Sequence, residues 1–211
     1  MMTEQADHYY APLRPVRSSF SEQGSRFIAN LAPACSAKNA KNYIGQVRIG
    51  YPDATHHTYV YRIGAGIALI EQASDDREPA GTAGAPMLQY LQGHNISDAV
   101  LVATRYYGGT KLGIGGLTRA YRTCARIACE AACLELKEPL MAFSLQCQYE
   151  DLGGVTKLAE SLNGRVLNVN YADAVTLALE LPQRSASLFR ERFAAVCRGR
   201  GKPQALLTVI L

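Results

Sequence analysis

No apolar run in this 211-residue chain approaches the ~20 residues that a membrane-spanning helix needs. The first residues show no basic-then-apolar signal design, and a cytoplasmic protein with no membrane partner is expected. No Cys-x-x-Cys pair occurs among the six cysteines. Three of these fall in one expected helix and one in an expected strand, which argues against a disulfide scaffold. Cys129 and Cys133 stand one helical turn apart without a histidine, and read as small buried hydrophobes rather than metal ligands. There is no Gly-x-Ser-x-Gly, no His-Glu-x-x-His and no cysteine in an activated setting, so no catalytic residue is assigned. His56 and His57 are adjacent. On a strand they would point to opposite faces, one to core and one to surface, and could not readily share a metal.

The most informative absence is local. From Ala99 to Cys129 there is no acidic residue, while Arg105, Lys111, Arg119, Arg122 and Arg126 are all basic. The net charge is only +4, and dividing the chain at Lys137 gives 14 basic and 11 acidic residues before the cut and 8 and 7 after it. The excess is therefore a focused surface rather than a basic tail.

Within that segment, apolar Ala99–Thr104 reads as a buried strand. It runs into Arg105-Tyr-Tyr-Gly-Gly-Thr-Lys-Leu-Gly-Ile-Gly-Gly116, and a helix is expected to follow. Glycines let backbone N–H groups approach a ligand closely, and a helix start leaves donors unpaired beside partial positive charge. Together they describe an anion site. It is not a Walker A loop, because Gly-x-x-x-x-Gly-Lys-Ser/Thr is absent. Nor is it a dinucleotide fingerprint, since Thr118 stands where the third glycine belongs.

The candidate phosphate or nucleic-acid contacts are Arg105, Tyr106, Tyr107, Gly108, Gly109, Lys111, Gly113, Gly115, Gly116, Arg119 and Arg122. The two tyrosines offer rings for base stacking, with one of the neighbours expected in the core. An acidic loop, Asp75, Asp76 and Glu78 with Gly81 and Thr82, is the competing occupant: its carboxylates could pair with the arginines inside the domain. Arg119, expected in the first helical turn, makes an answering negative charge necessary from one source or the other. The same acids could hold magnesium beside bound phosphates, although a solvated turn is the simpler reading and no cofactor is expected.

Strand-like runs at Leu13–Phe20 and Arg26–Ala32 predict a hairpin, Ser36 opens a helix to Ile49, and strands are expected at Val60–Ile63 and Ile67–Ile70. A helix spans Ala85–Gln92. After the basic segment, Lys137-Glu-Pro139 marks a boundary, giving domains 1–137 and 138–211. In the second, Phe143–Tyr149 alternates as a half-buried strand and Asp151 can cap a helix. Strands at Val166–Val169 and Val175–Leu181, a helix at Ser185–Cys197 and a strand at Ala205–Leu211 follow. That is a ferredoxin-like βαββαβ order in an α+β chain.

Asp76-Arg-Glu-Pro-Ala-Gly-Thr-Ala-Gly84, Arg105-Tyr-Tyr-Gly-Gly109, Lys111-Leu-Gly113 and Gly115-Gly-Leu-Thr-Arg-Ala-Tyr121 resemble the IMPACT family, as do Ser25-Arg-Phe27 and the His56-His57 pair. The resemblance implies a two-layer α/β N-terminal domain like one in a small-subunit ribosomal protein. It also implies a C-terminal domain like one of elongation factor G. Its eukaryotic members are regulators of translation in the starvation response, acting through a ribosome-associated partner. Two positions depart from the family pattern: Arg77 and Arg122 stand where glycine is common.

The expected function is a non-enzymatic, translation-linked factor binding RNA or the ribosome. The alternatives are a module that binds a regulatory protein, or an enzyme acting on a small phosphorylated substrate.

Overall fold

The computed structural model describes residues 8–66, 69–138, 140–200 and 203–209. They fall into two compact units, one ending at Lys137 and the next beginning at Glu138. The chain is a mixed α+β protein.

The first unit is built on a five-stranded antiparallel sheet. Its strands are β2 (Val16–Glu22), β3 (Ser25–Pro33), β4 (His56–Ile63), β5 (Ile70–Ser74) and β6 (Ala99–Tyr106), in the spatial order β2-β3-β6-β4-β5. The apolar run makes β6 the central strand, paired to β3 on one side and β4 on the other. Its side chains alternate. Ala99, Leu101 and Ala103 pack beneath α2 (Gly84–Gly93) and α3 (Gly113–Ala131), whereas Val100 and Val102 pack beneath α1 (Ala37–Gly50). Helices therefore cover both faces, and the unit has three layers, not the two the resemblance implied. An unbroken apolar central strand is what burial on both faces demands.

Ser36 caps α1 as expected, its Oγ accepting the Asn39 N–H at 3.1 Å. The strand expected over Ile67–Ile70 is displaced: β5 begins at Ile70, and residues 67 and 68 lie outside the described residues. A small antiparallel pair, β1 (Tyr9–Pro12) with β7 (Leu134–Lys137), had no counterpart in the sequence reading.

In α3, Leu117, Ala120, Tyr121, Cys124, Ala125 and Ala128 form the buried face as the spacing predicted. Burial pushes the Cys129 thiol up to about 12, which makes it inert. Cys133 and Cys35 are exposed, contrary to the expectation that the pair 129 and 133 would both be core.

His57 is buried on β4 beneath α1's end. Its Nε2 lies 3.1 Å from the Tyr51 carbonyl, so Nε2 carries the proton, and Nδ1 accepts from the Thr104 hydroxyl at 3.1 Å. The neutral ring satisfies both contacts. Burial lowers its pKa, against smaller raising effects from the Tyr51 carbonyl and Asp76. The unfolded chain therefore binds this proton more readily than the folded one. The first unit should lose stability as pH falls below about 6.5. Denaturant midpoints across pH 7 to 5 check this, and His57→Gln should flatten the trend in that window.

The second unit has strands β8 (Leu140–Cys147), β9 (Arg165–Tyr171), β10 (Val175–Pro182) and β11 (Gln204–Val209), in the order β11-β8-β10-β9. The helices are α4 (Leu152–Ser161) and α5 (Ala186–Val196). The chain order is βαββαβ and every pairing is antiparallel. Phe143, Leu177, Val155 and Phe189 lie in one core between sheet and helices. Asp151 makes no side-chain cap on α4. It is buried and takes the Arg200 guanidinium at 3.2 Å instead.

Candidate anion and nucleic-acid site

The site lies where β6 ends, and two glycines fix its shape. Gly108 sits against Gly24 in the β2–β3 turn: a Cβ built on it would lie 1.9 Å from the Gly24 carbonyl carbon and oxygen. Gly24 itself has φ +79°. Ser25, next in the turn, ties the two together, its Oγ accepting the Gly108 N–H at 3.3 Å and an Arg105 Nη2–H at 3.2 Å. Gly109 and Gly113 have φ of +90° and +70° and face open space, while Leu112 between them packs against the core of the unit.

Arg105 does not present its charge to solvent. It is 4% exposed, donates from Nη1 to Glu78 Oε1 at 2.7 Å, and lies 5.5 Å from the ring centroids of both Phe27 and Tyr107. This corrects its expected role as an outward phosphate contact. Glu78 Oε1 also accepts from Tyr121 at 2.6 Å, and His56 Nε2 lies 3.8 Å away. Burial, then the bond to Glu78, holds the Tyr121 phenol far above its usual pKa, so it remains a donor. Tyr121, Ser25 and His56 are site residues that the charge pattern did not mark, although all three belong to the fragments that carried the family resemblance, and helical spacing placed Tyr121 only in the core.

The acidic loop does not face the site as a group. Asp75 turns inward, accepting backbone N–H groups of Gly81 (2.7 Å), Ala83 (3.0 Å) and Gly84 (2.8 Å) at the start of α2. Burial raises its pKa and those three donors more than reverse the effect, leaving it lowered. Asp75→Ala should cost about 1–2 kcal/mol, read by thermal or denaturant unfolding, because it strands helix-start donors. Thr82 is buried, its hydroxyl donating to the Pro79 carbonyl at 2.7 Å. Asp76 accepts the His57 N–H at 2.6 Å and lies 3.4 Å from Arg48. The three carboxylates diverge, which disfavours a shared magnesium. Arg77, one of the two departures from the family pattern, has φ +71°, the left-handed region that suits glycine.

The remaining cations are exposed. Helix α3 starts at Gly113, so Arg119 belongs to its second turn and not its first. Its side chain nevertheless folds back: Nη1 lies 3.5 Å from a Cβ built on Gly115 in the first turn. That turn has no acidic residue and no side-chain cap, and Lys111 precedes it. Among the described residues, Lys111, Arg119 and Arg122 form no ion pair, whereas Arg126 pairs with Glu130 at 2.8 Å. Arg122 rests 6.0 Å from the Tyr90 ring. A cleft of about 360 Å³ opens beside the helix start, lined by Pro79, Tyr107, Lys111, Leu112, Gly113, Ile114 and Leu117, with Glu78 and Arg105 also in its wall. Tyr107 is 46% exposed, and Tyr106, half-buried, lies on the opposite face of the sheet from Arg105.

These elements coincide with a known domain. The profile of the Impact N-terminal domain matches residues 23–129, which run from the β2–β3 turn through β3, the acidic loop and the glycine-rich loop to nearly the end of α3. IMPACT family member YigZ of Escherichia coli (strain K12) is 36% identical over 194 residues, covering 92% of this chain and 95% of that protein. The chain belongs to the IMPACT family. A domain of unknown function, DUF1949, matches residues 145–200 in the second unit. Protein IMPACT of Homo sapiens is 31% identical over 97 residues, 44% of this chain and 30% of that protein. A crystal structure of a hypothetical protein, 35% identical, aligns with a TM-score of 0.66 over 95% of this chain and 98% of its own. The IMPACT relationship thus reaches bacterial members over nearly full length, and the human protein over a shorter region.

Proposed function

We propose that this IMPACT-family protein is a translation-linked regulatory factor that binds RNA phosphates, on the ribosome, through Lys111, Arg119 and the open start of α3. One observation carries the reading: a guanidinium folded back over an uncapped, acid-free helix start, with every carboxylate of the neighbouring loop engaged elsewhere. Positive charge beside a helix N-terminus is unfavourable unless an anion answers it. The carboxylates that could have supplied one are already engaged, Asp75 and Asp76 away from the start of α3 and Glu78, in the cleft wall, by Arg105 and Tyr121. An external phosphate is the natural complement, and Arg122, one turn further along, extends the positive strip. Translation enters through the family, whose eukaryotic members the resemblance identifies as regulators of that process.

Replacing Lys111 and Arg119 together by alanine tests this. RNA affinity should fall, and the slope of log K against log salt should flatten by about 1.4, from roughly 0.7 per phosphate contact on a single strand. An unchanged slope in the folded double variant would remove the proposal. Binding that survives nuclease treatment would instead point to a protein partner.

A further inference from the structure

Building on that phosphate reading, we infer that the cleft beside the start of α3 takes one unpaired base of single-stranded RNA, with the adjoining phosphate held by Lys111. The cleft, at about 360 Å³, is in the range of small-molecule sites, and much of its wall is Pro79, Leu112, Ile114, Leu117 and the Tyr107 ring. Ile114 is 71% exposed and Tyr107 46%, two large apolar side chains left open on a surface otherwise rich in cations. An apolar planar group carrying its own negative charge satisfies both halves of that surface. A nucleotide is such a group.

Tyr107 is set for stacking. Its hydroxyl donates to the Gly109 carbonyl at 2.7 Å, its N–H to Thr55 Oγ1 at 3.1 Å, and the Arg105 guanidinium lies 5.5 Å from the ring centroid. The ring is thus oriented before any ligand arrives, which lowers the entropy lost on binding. The Arg105–Glu78 pair puts donors and an acceptor in the cleft wall, and Arg105 Nε is a buried donor with no acceptor among the described residues. In a duplex the base is stacked and paired, so the site selects single strands.

The test uses the full chain and three RNAs of equal length: an oligoadenylate, an abasic strand of the same charge, and a perfect duplex. The oligoadenylate should bind roughly 10-fold tighter than the abasic strand, the scale of one base–aromatic stack. Tyr107→Ala and, separately, Ile114→Ala should erase that difference between the two strands. Lys111→Ala should weaken both strands alike. Equal binding of oligoadenylate and abasic strand would overturn the base cleft yet leave the phosphate reading standing. Loss of affinity for the abasic strand in both cleft variants would also overturn it, since the side chains would then act through the loop's shape. No binding of any of the three at low salt would overturn both.

Discussion

Glu78→Gln should destabilise the first unit by about 3–5 kcal/mol, the range for breaking a buried ion pair from one side. Glu78 and Arg105 are 8% and 4% exposed, and their bond is 2.7 Å long. Removing the carboxylate's charge leaves a guanidinium uncompensated in a nearly dry setting, between Phe27 and Tyr107, with Ser25 Oγ and a neutral amide oxygen as its acceptors. Tyr121→Phe removes one hydrogen bond and should cost less, about 1–2 kcal/mol. The decisive comparison is the double variant Glu78→Leu with Arg105→Met. If the penalty of the single change is an uncompensated charge, the double variant should be markedly more stable than the sum of the singles. Because the chain has two units, the transition that is read must be assigned to the first. Amide exchange in β3 and β6 reads the relevant unit directly.

The sequence disclosed the anion site's ingredients better than their allocation. The acid-free run, the glycines and the helical spacing of Leu117 to Ala128 were all legible, because each is a local pattern. So was the βαββαβ order of the second unit, where strands alternate with period two and helices with three to four. What was not legible depended on partners distant in the chain. Arg105 and Lys111 look equivalent as basic residues of one loop, yet β6 continues through Arg105 and turns it onto the face where Phe27 and Glu78 lie. Lys111 stands beyond the strand in the open loop and remains exposed. Asp75, Asp76 and Glu78 look like one acidic cluster, but the backbone turns at Asp76 and Arg77, both with positive φ, and sends their side chains to three different places. Three layers were hidden for a similar reason: nothing local says which face of the sheet α1 will cover. The β1–β7 pair was hidden because four-residue strands leave too short a pattern to detect.

Gly108→Ala is expected to be the other severe change, and it acts through backbone and not charge. The new methyl would fall 1.9 Å from two backbone atoms of Gly24 and 2.5 Å from the Ser25 nitrogen. Backbone atoms in a hairpin turn have no rotamer with which to yield. Either the β2–β3 turn or the end of β6 must move, and overpacking of this kind costs about 1–3 kcal/mol or more. The same movement breaks the Ser25 bonds to the Gly108 N–H and to Arg105, so the ion pair loosens with it. A fall in thermal midpoint on the order of 5–10 °C follows for a unit of this size. Gly45→Ala in α1 is the control, because its added methyl meets nothing within 4 Å. It should gain about 0.5–1 kcal/mol from reduced backbone freedom. If Gly108→Ala instead proved neutral, the close contact with Gly24 would not be what requires glycine there. The Gly108 requirement would then lie in ligand approach, and Gly108→Ala would reduce RNA affinity without touching stability. Measuring both quantities on the same variant separates a glycine kept for packing from one kept for binding.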